Sequence, residues 1–233
     1  YNNATGGNST ATSSFTTGGS VIVLPTPTRT GYNFGGWYSD SGLTNQIGLA
    51  GANYSPTGTT LTLNAYAKWT AIDYTFTYDG NNSDAGTVPT ETSKQITQTA
   101  TIKANTGSLI RAGYTFAGWN TQSNGTGDNY LSGSLFTVQS SNVTLYAKWS
   151  ANSYTIIYNS NGGTGSAQRS SSNVSTDTYT TGGSSVALPG VGTLERAGYT
   201  FDGWNTSAAG TGTNRTAGDT YTTVSDVIFY AKW

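Results

Sequence analysis

Arg111-Ala112-Gly113-Tyr114-Thr115-Phe116-Ala117-Gly118-Trp119, followed downstream by Tyr146-Ala147-Lys148-Trp149, decides the architecture because the chain writes it three times. The same Arg-x-Gly-Tyr-x-Phe-x-Gly-Trp spacing runs from Arg29 to Trp37 and from Arg196 to Trp204. Tyr-Ala-Lys-Trp returns at Tyr66 to Trp69 and at Tyr230 to Trp233. All 6 tryptophans fall in one of these two signatures, so they belong to a repeating unit and not to a single site. The period is about 80 residues, too long for a solenoid and right for small domains in tandem. Three modules are predicted: residues 1–69, 72–149 and 152–233.

Working outward from the signatures, each full module opens with an alternating strand. Tyr74, Phe76 and Tyr78 alternate with threonine, and Tyr154, Ile156 and Tyr158 occupy the same places in the third module. Alternation of large apolar and small polar residues marks a half-buried strand. Tyr1-Asn2-Asn3 matches only the end of that strand, so the first module is expected to begin with it incomplete. A variable middle segment follows, closing on Val21-Ile22-Val23-Leu24-Pro25 or Val186-Ala187-Leu188-Pro189, with Thr101-Ile102-Lys103-Ala104 in their place in the second module. Tyr114 and Phe116 then share one strand face, and Gly118 permits a bend that presents Trp119. In the closing strand Leu61, Leu63, Ala65, Ala67 and Trp69 alternate with polar residues, as do Val143, Leu145, Ala147, Trp149 and Val227, Phe229, Ala231, Trp233. Leu43 and Ile47 offer the best helical spacing, enough for one turn. Only four residues separate Trp69 from Tyr74, and Trp149 from Tyr154, so neighbouring modules are expected to touch and form a semi-rigid, elongated rod.

Composition excludes much chemistry. Charged residues make up 9% of the chain, and 10 basic against 11 acidic side chains leave no basic face for nucleic acid. Cys, His and Met are all absent, which removes disulfides, thiol nucleophiles, Cys/His zinc sites and imidazole catalysis. No run is long and apolar enough for membrane insertion by a helix. The polar, uncharged, oxidation-inert composition points to an extracellular setting.

With these residues in view, the modules resemble the Listeria–Bacteroides repeat, also called the internalin B-repeat. Gly113 to Trp119 through Tyr146 to Trp149 carry the family pattern almost unaltered, and the resemblance covers essentially the whole chain. It implies a mainly β module, α+β by family: a small β-grasp, or ubiquitin-like, domain, here with little helix. It also implies a place in bacterial surface or secreted proteins, with no enzymatic activity, no catalytic residue and no cofactor. The loop from Ser39 to Ala52 departs from the Gly-Thr-Gly loops of the other modules.

Each candidate site has a plain alternative. The signature aromatics Tyr32, Phe34, Trp37, Trp69, Tyr114, Phe116, Trp119, Trp149, Tyr199, Phe201, Trp204 and Trp233 suggest sugar stacking, but alternation assigns them to small cores. Tyr66, Tyr146 and Tyr230 fall on the outer face and are candidates for recognition or module packing. Lys68, Lys148 and Lys232 share that face, where lysine protects sheet edges. Asn124-Gly125-Thr126-Gly127-Asp128 and Ala209 to Gly212 read as turns, lacking the helix and Lys of a phosphate loop. Asp79 to Asp84 offers oxygens for calcium without EF-hand spacing. The acids are scattered, which argues against a glycosidase pair, and a Lys-to-Asn crosslink would need a buried lysine. The expected role is a non-enzymatic extracellular stalk whose partners are its own neighbouring modules. Two alternatives stay open: an adhesin gripping a glycan or host protein through the middle segments, and a fibre subunit joined to other copies of itself by strand addition.

Overall fold

The computed structural model describes residues 21–55 and 64–233. The incomplete strand expected at Tyr1-Asn2-Asn3 and the closing-strand positions Leu61 and Leu63 lie outside the described residues. Among the described residues there are strands and turns but no helix.

The helical turn expected around Leu43 and Ile47 is a left-handed turn instead. Leu43 has φ of 55°, and the Asp40 carboxylate accepts hydrogen bonds from the N–H groups of Thr44 (3.1 Å) and Asn45 (2.7 Å). A carboxylate that caps its own following N–H groups offers the backbone an alternative to helix. Ile47 goes on into a strand, Gln46–Gly48.

The chain divides into two compact units, and the division falls inside the second repeat. The first comprises Tyr1–Tyr78, Thr90–Lys103 and Ser132–Leu145. Its main sheet has the order Gln46–Gly48, Tyr32–Tyr38, Tyr66–Ala71, antiparallel throughout. Leu24, Trp37 and Ala67 form its buried centre, with Phe34, Ile47 and Trp69 packed around them. Further along, Asp73–Tyr74 pairs with Lys94–Gln95, and Thr99–Thr101 with Leu135–Thr137. The alternation acts here as it must on a pleated strand: Phe76 and Tyr78 are buried, Thr75 and Thr77 exposed. Phe76 meets Phe136 edge-on at 5.4 Å.

The second unit comprises Asp79–Pro89, Ala104–Leu131 and Tyr146–Trp233. Its largest sheet has five strands in the order Thr176–Thr180, Ser153–Asn159, Val227–Ala231, Trp204–Asn205, Asn214–Arg215. Neighbours are antiparallel except the pair Ser153–Asn159 and Val227–Ala231, which runs parallel with Ile156 opposite Val227 and Asn159 opposite Tyr230. From the edge strand ending at Thr180 the chain reaches Trp204 through a segment that holds the short strand Val186–Ala187, paired with Thr220–Tyr221, and contributes Leu188 and Leu194 to the core. Ile156, Trp204, Phe229 and Ala231 are completely enclosed there. In the same unit Tyr114–Asn120 pairs with Asn129–Tyr130, and with the closing strand in the register Phe116 to Trp149 and Trp119 to Ala147.

The two signatures meet at a phenylalanine. Phe34 lies edge-on to Trp37 (5.4 Å) and Trp69 (5.5 Å), Phe116 to Trp119 (5.2 Å) and Trp149 (5.8 Å), and Phe201 to Trp204 (5.4 Å) and Trp233 (5.9 Å). Edge-to-face geometry is the favoured arrangement of such rings and adds about 0.5–1.5 kcal/mol per pair beyond burial. The bend that brings the second ring round is a bulge: the register shifts between Phe34 and Gly36, and between Phe116 and Trp119. Gly118 has φ of 112°, and a Cβ there would stand 2.8 Å from the Tyr130 carbonyl oxygen, so no other residue fits.

The closing lysines do not guard an edge in the second and third repeats. The strands Val143–Ala151 and Val227–Ala231 each have a neighbour on both sides. Lys148 donates to Asn129 Oδ1 (2.8 Å), Lys232 pairs with Asp202 (2.8 Å), and Lys68 extends over the Tyr38 ring at 5.6 Å. These are cross-strand partnerships, in which the aliphatic stem covers the sheet while the amine finds an acceptor or a ring.

Candidate functional site: the turns that join the repeats

The Arg-x-Gly-Tyr segment is a tight turn in all three repeats. The tyrosine N–H donates to the arginine carbonyl at 3.0 Å, from Tyr32 to Arg29, Tyr114 to Arg111 and Tyr199 to Arg196. The third residue is in the left-handed region, with φ of 79° at Gly31, 77° at Gly113 and 81° at Gly198, which selects glycine. Each guanidinium lies over the ring of its own turn, at 3.9, 4.2 and 4.3 Å. A stacked arginine stiffens the turn by a cation–π contact.

In the first two repeats this turn is covered by the repeat that follows. The closing strand runs past its tryptophan, pairing Ala71 with Tyr32 and Ala151 with Tyr114. The next residue then donates to the turn glycine: Ile72 N–H to the Gly31 carbonyl and Asn152 N–H to the Gly113 carbonyl, both 2.9 Å. In the following repeat the strand Lys94–Gln95 or Thr176–Thr180 ends in its own turn, closed by Gln98 N–H to Gln95 O (3.1 Å) or Gly183 N–H to Thr180 O (2.9 Å). Its second residue, Ile96 or Thr181, lies on the glycine. A Cβ on Gly31 would stand 2.8 Å from Ile96 Cγ2, and one on Gly113 would stand 2.6 Å from Thr181 Oγ1. Asn152 adds a polar lock: its Oδ1 accepts from Thr115 Oγ1 (2.7 Å) and its carbonyl accepts from Thr181 N–H (3.0 Å).

The third turn has the same internal geometry and an open face. A Cβ on Gly198 would meet nothing within 4 Å among the described residues. Tyr199, expected in the core, is 57% exposed, whereas Tyr32 and Tyr114 are half-buried. Tyr32 and Tyr114 lie against Ala71 and Ala151, two residues past the closing tryptophan. Contact between Trp204–Asn205 and the closing strand starts at Trp204 with Ala231, and Asp202 N–H reaches the Lys232 carbonyl, so no strand among the described residues lies against Tyr199.

The other sequence candidates are elsewhere. Trp37, Trp119 and Trp204 are buried, while Phe34, Phe116, Phe201, Trp69, Trp149 and Trp233 are half-buried. Trp149 Nε1 donates to the carbonyls of Gly80 (3.2 Å) and Asn81 (3.0 Å), and Trp233 Nε1 to that of Ser160 (3.0 Å). Tyr66, Tyr146 and Tyr230 are half-buried on the closing strands, opposite Tyr38, Asn120 and Asn205, and take no part in the joining turns. The oxygens between Asp79 and Asp84 serve the backbone: Asp79 accepts from Asn81 N–H (2.7 Å) and Asp84 from Ala112 N–H (2.6 Å).

Two residues that the sequence reading passed over organise the Gly-Thr-Gly loops. Asn120 and Asn205 are each 1% exposed. Asn120 Oδ1 accepts from Gln122 and Gly127 N–H (2.8 and 3.1 Å), and its Nδ2 donates to the Gly127 carbonyl (2.9 Å) and Asn129 Oδ1 (2.8 Å). Asn205 repeats the pattern with Ser207, Gly212 and Asn214. Their signal in the sequence was the same amide directly after Gly-Trp in the two repeats with a Gly-Thr-Gly loop. In the third repeat Tyr158 OH and Arg169 both donate to Asp177, at 2.9 and 2.6 Å. Burial opposes ionisation of that carboxyl, yet the hydrogen bonds from Arg169 and Tyr158 outweigh it and hold it below the ordinary carboxylate range. Burial raises the Tyr158 hydroxyl above its ordinary value.

Comparison with known proteins agrees with the repeat count. The model of the Listeria-Bacteroides repeat domain matches residues 1–68, 74–148 and 154–232. Among relatives, one from Evansella cellulosilytica carrying the name Gly-rich membrane protein is 36% identical over 62% of this chain and 17% of its own length. Another from the same organism, named as a membrane protein, is 33% identical over 58% of this chain and 19% of its own length. The chain thus spans less than a fifth of these relatives. No solved structure matches it. With all three copies accounted for by one model, the chain belongs to the Listeria-Bacteroides repeat domain family.

Proposed function

We propose that this chain is a non-enzymatic structural segment of a bacterial surface or secreted protein, a spacer whose repeats are clamped to one another. One observation carries the reading: the variable middle segments, the natural place for a recognition surface, supply Ile96 and Thr181 to the glycine turns of the preceding repeats. A residue that fills a notch in its neighbour is used for assembly. The chain's lack of Cys, His and Met, the membership in a repeat family and the names of its relatives support the same reading, and no enzymatic family matches.

Each repeat is read as a β-grasp module. Support comes from the third repeat, whose sheet places the first and last strands side by side and parallel in the middle. Leu188 and Leu194, from the segment between the strands Thr176–Thr180 and Trp204–Asn205, fill the core where the fold would otherwise carry a helix.

The test is replacement in the parent surface protein. Exchanging the segment for unrelated modules of equal length is expected to preserve the parent's surface display and activity, while deleting it reduces them. Loss of glycan or host-cell binding on exchange, with display intact, would establish an adhesin instead.

A further inference from the structure

The sequence holds two Asn-Gly pairs, Asn124-Gly125 and Asn161-Gly162. In such a pair no Cβ keeps the glycine nitrogen from the asparagine side-chain carbon, so the surroundings of the amide decide whether the two react. The fold gives these two amides opposite surroundings.

Asn161 is clamped. Its Nδ2 donates to the carbonyls of Ala208 (2.9 Å) and Ala231 (3.0 Å), and its backbone N–H donates to Asn159 Oδ1 (2.8 Å). Among the described residues no donor reaches its Oδ1. The nitrogen that would have to leave is held, and the oxygen that would take up charge is unsupported.

Asn124 is the reverse. It is exposed, and its Nδ2 has no protein partner among the described residues. Its Oδ1 accepts from Thr126 N–H (3.0 Å) and lies 2.8 Å from Thr126 Oγ1, whose proton it shares with Gln122 Oε1, also at 2.8 Å. Donors aimed at a carbonyl oxygen polarise its carbon and stabilise the charge that the oxygen carries when a nucleophile adds. The nucleophile is the Gly125 nitrogen, which in the resting loop donates to the Gln122 carbonyl (3.0 Å) and must give up that bond. The third repeat shows that the loop does not need the amide. Ala209 stands where Asn124 does, and Gly210 N–H makes the same 3.0 Å bond to the Ser207 carbonyl.

We propose that Asn124 is a site of spontaneous modification, its amide converted to a carboxylate through attack by the Gly125 nitrogen, with the Thr126 hydroxyl holding the side-chain oxygen. A bond forms between Gly125 N and Asn124 Cγ, the Cγ–Nδ2 bond breaks, and ammonia leaves with the proton that Gly125 gives up. Water then opens the cyclic imide at either carbonyl, leaving aspartate or isoaspartate at position 124. Each event adds one negative charge to a chain of net charge -1, in a loop that already carries Asp128. Isoaspartate also inserts a carbon into the backbone ahead of Gly125, whose carbonyl accepts from Asn120 Nδ2 at 3.3 Å. With Cys and Met absent, the usual oxidation sites are missing, and this loop is where the chain ages.

The intact chain, kept at mildly alkaline pH and sampled over weeks, is digested and its peptides resolved by mass spectrometry with isoaspartate separated from aspartate. Residue 124 is expected to convert at least about tenfold faster than Asn161, which has two hydrogen bonds to lose. In denaturant the two sites are expected to convert at similar rates. Asn124→Ala is expected to keep the native circular dichroism spectrum, as Ala209 allows, and to abolish the conversion at this loop. Thr126→Ala is expected to slow it about fivefold, the worth of one ordinary hydrogen bond, and Thr126→Ser to restore it. An amide at 124 that survives in the folded chain while the denatured chain converts, an Asn161 that converts as fast, or a Thr126→Ala rate equal to the native one overturns the proposal. The spacer reading stands in each case.

Discussion

Ile96 lies on Gly31: a Cβ on that glycine would stand 2.8 Å from Ile96 Cγ2 and 2.9 Å from Ile96 Cβ. Two repeats are thus joined where one of them has no side chain. Gly113 and Thr181 make the second such contact, while Gly198 has a closely similar φ and no neighbour within 4 Å among the described residues. The three glycines therefore separate backbone strain from packing. Gly198→Ala is expected to cost only the left-handed strain, about 1–2 kcal/mol. Gly31→Ala and Gly113→Ala add the overlap with the next repeat, about 1–3 kcal/mol more. Denaturant titration of the three variants checks this, and equal losses at all three positions would remove the packing term.

Thr97 and Ser171 spend stability on backbone geometry. Thr97 has φ of 68°, a left-handed position poorly suited to a β-branched residue, and its side chain is exposed. Ser170 and Ser171, at 46° and 71°, form the two-residue loop of the hairpin Ala167–Arg169 to Ser172–Val174, where Asn-Gly is the favoured pair. Thr97→Gly and the double change Ser170→Asn with Ser171→Gly are each expected to stabilise by about 1 kcal/mol. A rise in the denaturation midpoint, with the slope unchanged, is the readout.

Asn120 and Asn205 hold their loops by amide geometry, accepting on one side and donating on the other. Asn120→Ala strands several buried backbone groups and is expected to cost about 2–4 kcal/mol. Asn120→Asp keeps the acceptor, loses the donors and buries a charge, so it fares no better. Hydrogen exchange at Gln122 and Gly127 is expected to accelerate in both variants; unchanged protection there would show that the loop is held by other bonds.

Asp177 sets an acid limit on the third repeat. Its folded-state pKa is depressed, so its contribution is present above the unfolded value near 4 and is lost as pH falls through the lower folded value. Stability measured from about pH 6 downward is expected to fall more steeply below about pH 4 in the native chain than in Asp177→Asn. Parallel curves for the two proteins would dispose of the claim.

Much of this architecture was legible in the chain. Alternation located the strands that bury Phe76, Tyr78, Leu145 and Phe229, because a pleated strand sends every second residue inward. Gly118 read correctly as a bend, since the φ it needs is a property of one residue. The joining turns were not legible, for a different reason. Repetition shows which residues recur, and Gly31 recurs, but its partner is Ile96 in one place and Thr181 in the other. A contact between a constant glycine and a changing residue leaves no pattern to read. Tyr199 matches Tyr114 in sequence and differs in burial because burial there depends on what lies against it. Lys148 and Lys232 were misassigned because an outward-facing side chain looks the same on an interior strand as on an edge.

The parallel pair at the centre of the third repeat also has a mechanical meaning. Ser153–Asn159 opens the repeat and Val227–Ala231 closes it, side by side and pointing the same way. Tension applied at the two ends of the repeat pulls these strands in opposite directions along their length. Such a load falls on the whole row of hydrogen bonds together and cannot peel them one at a time. A repeat wired in this way meets tension along the chain in shear, the geometry in which a sheet is hardest to pull apart.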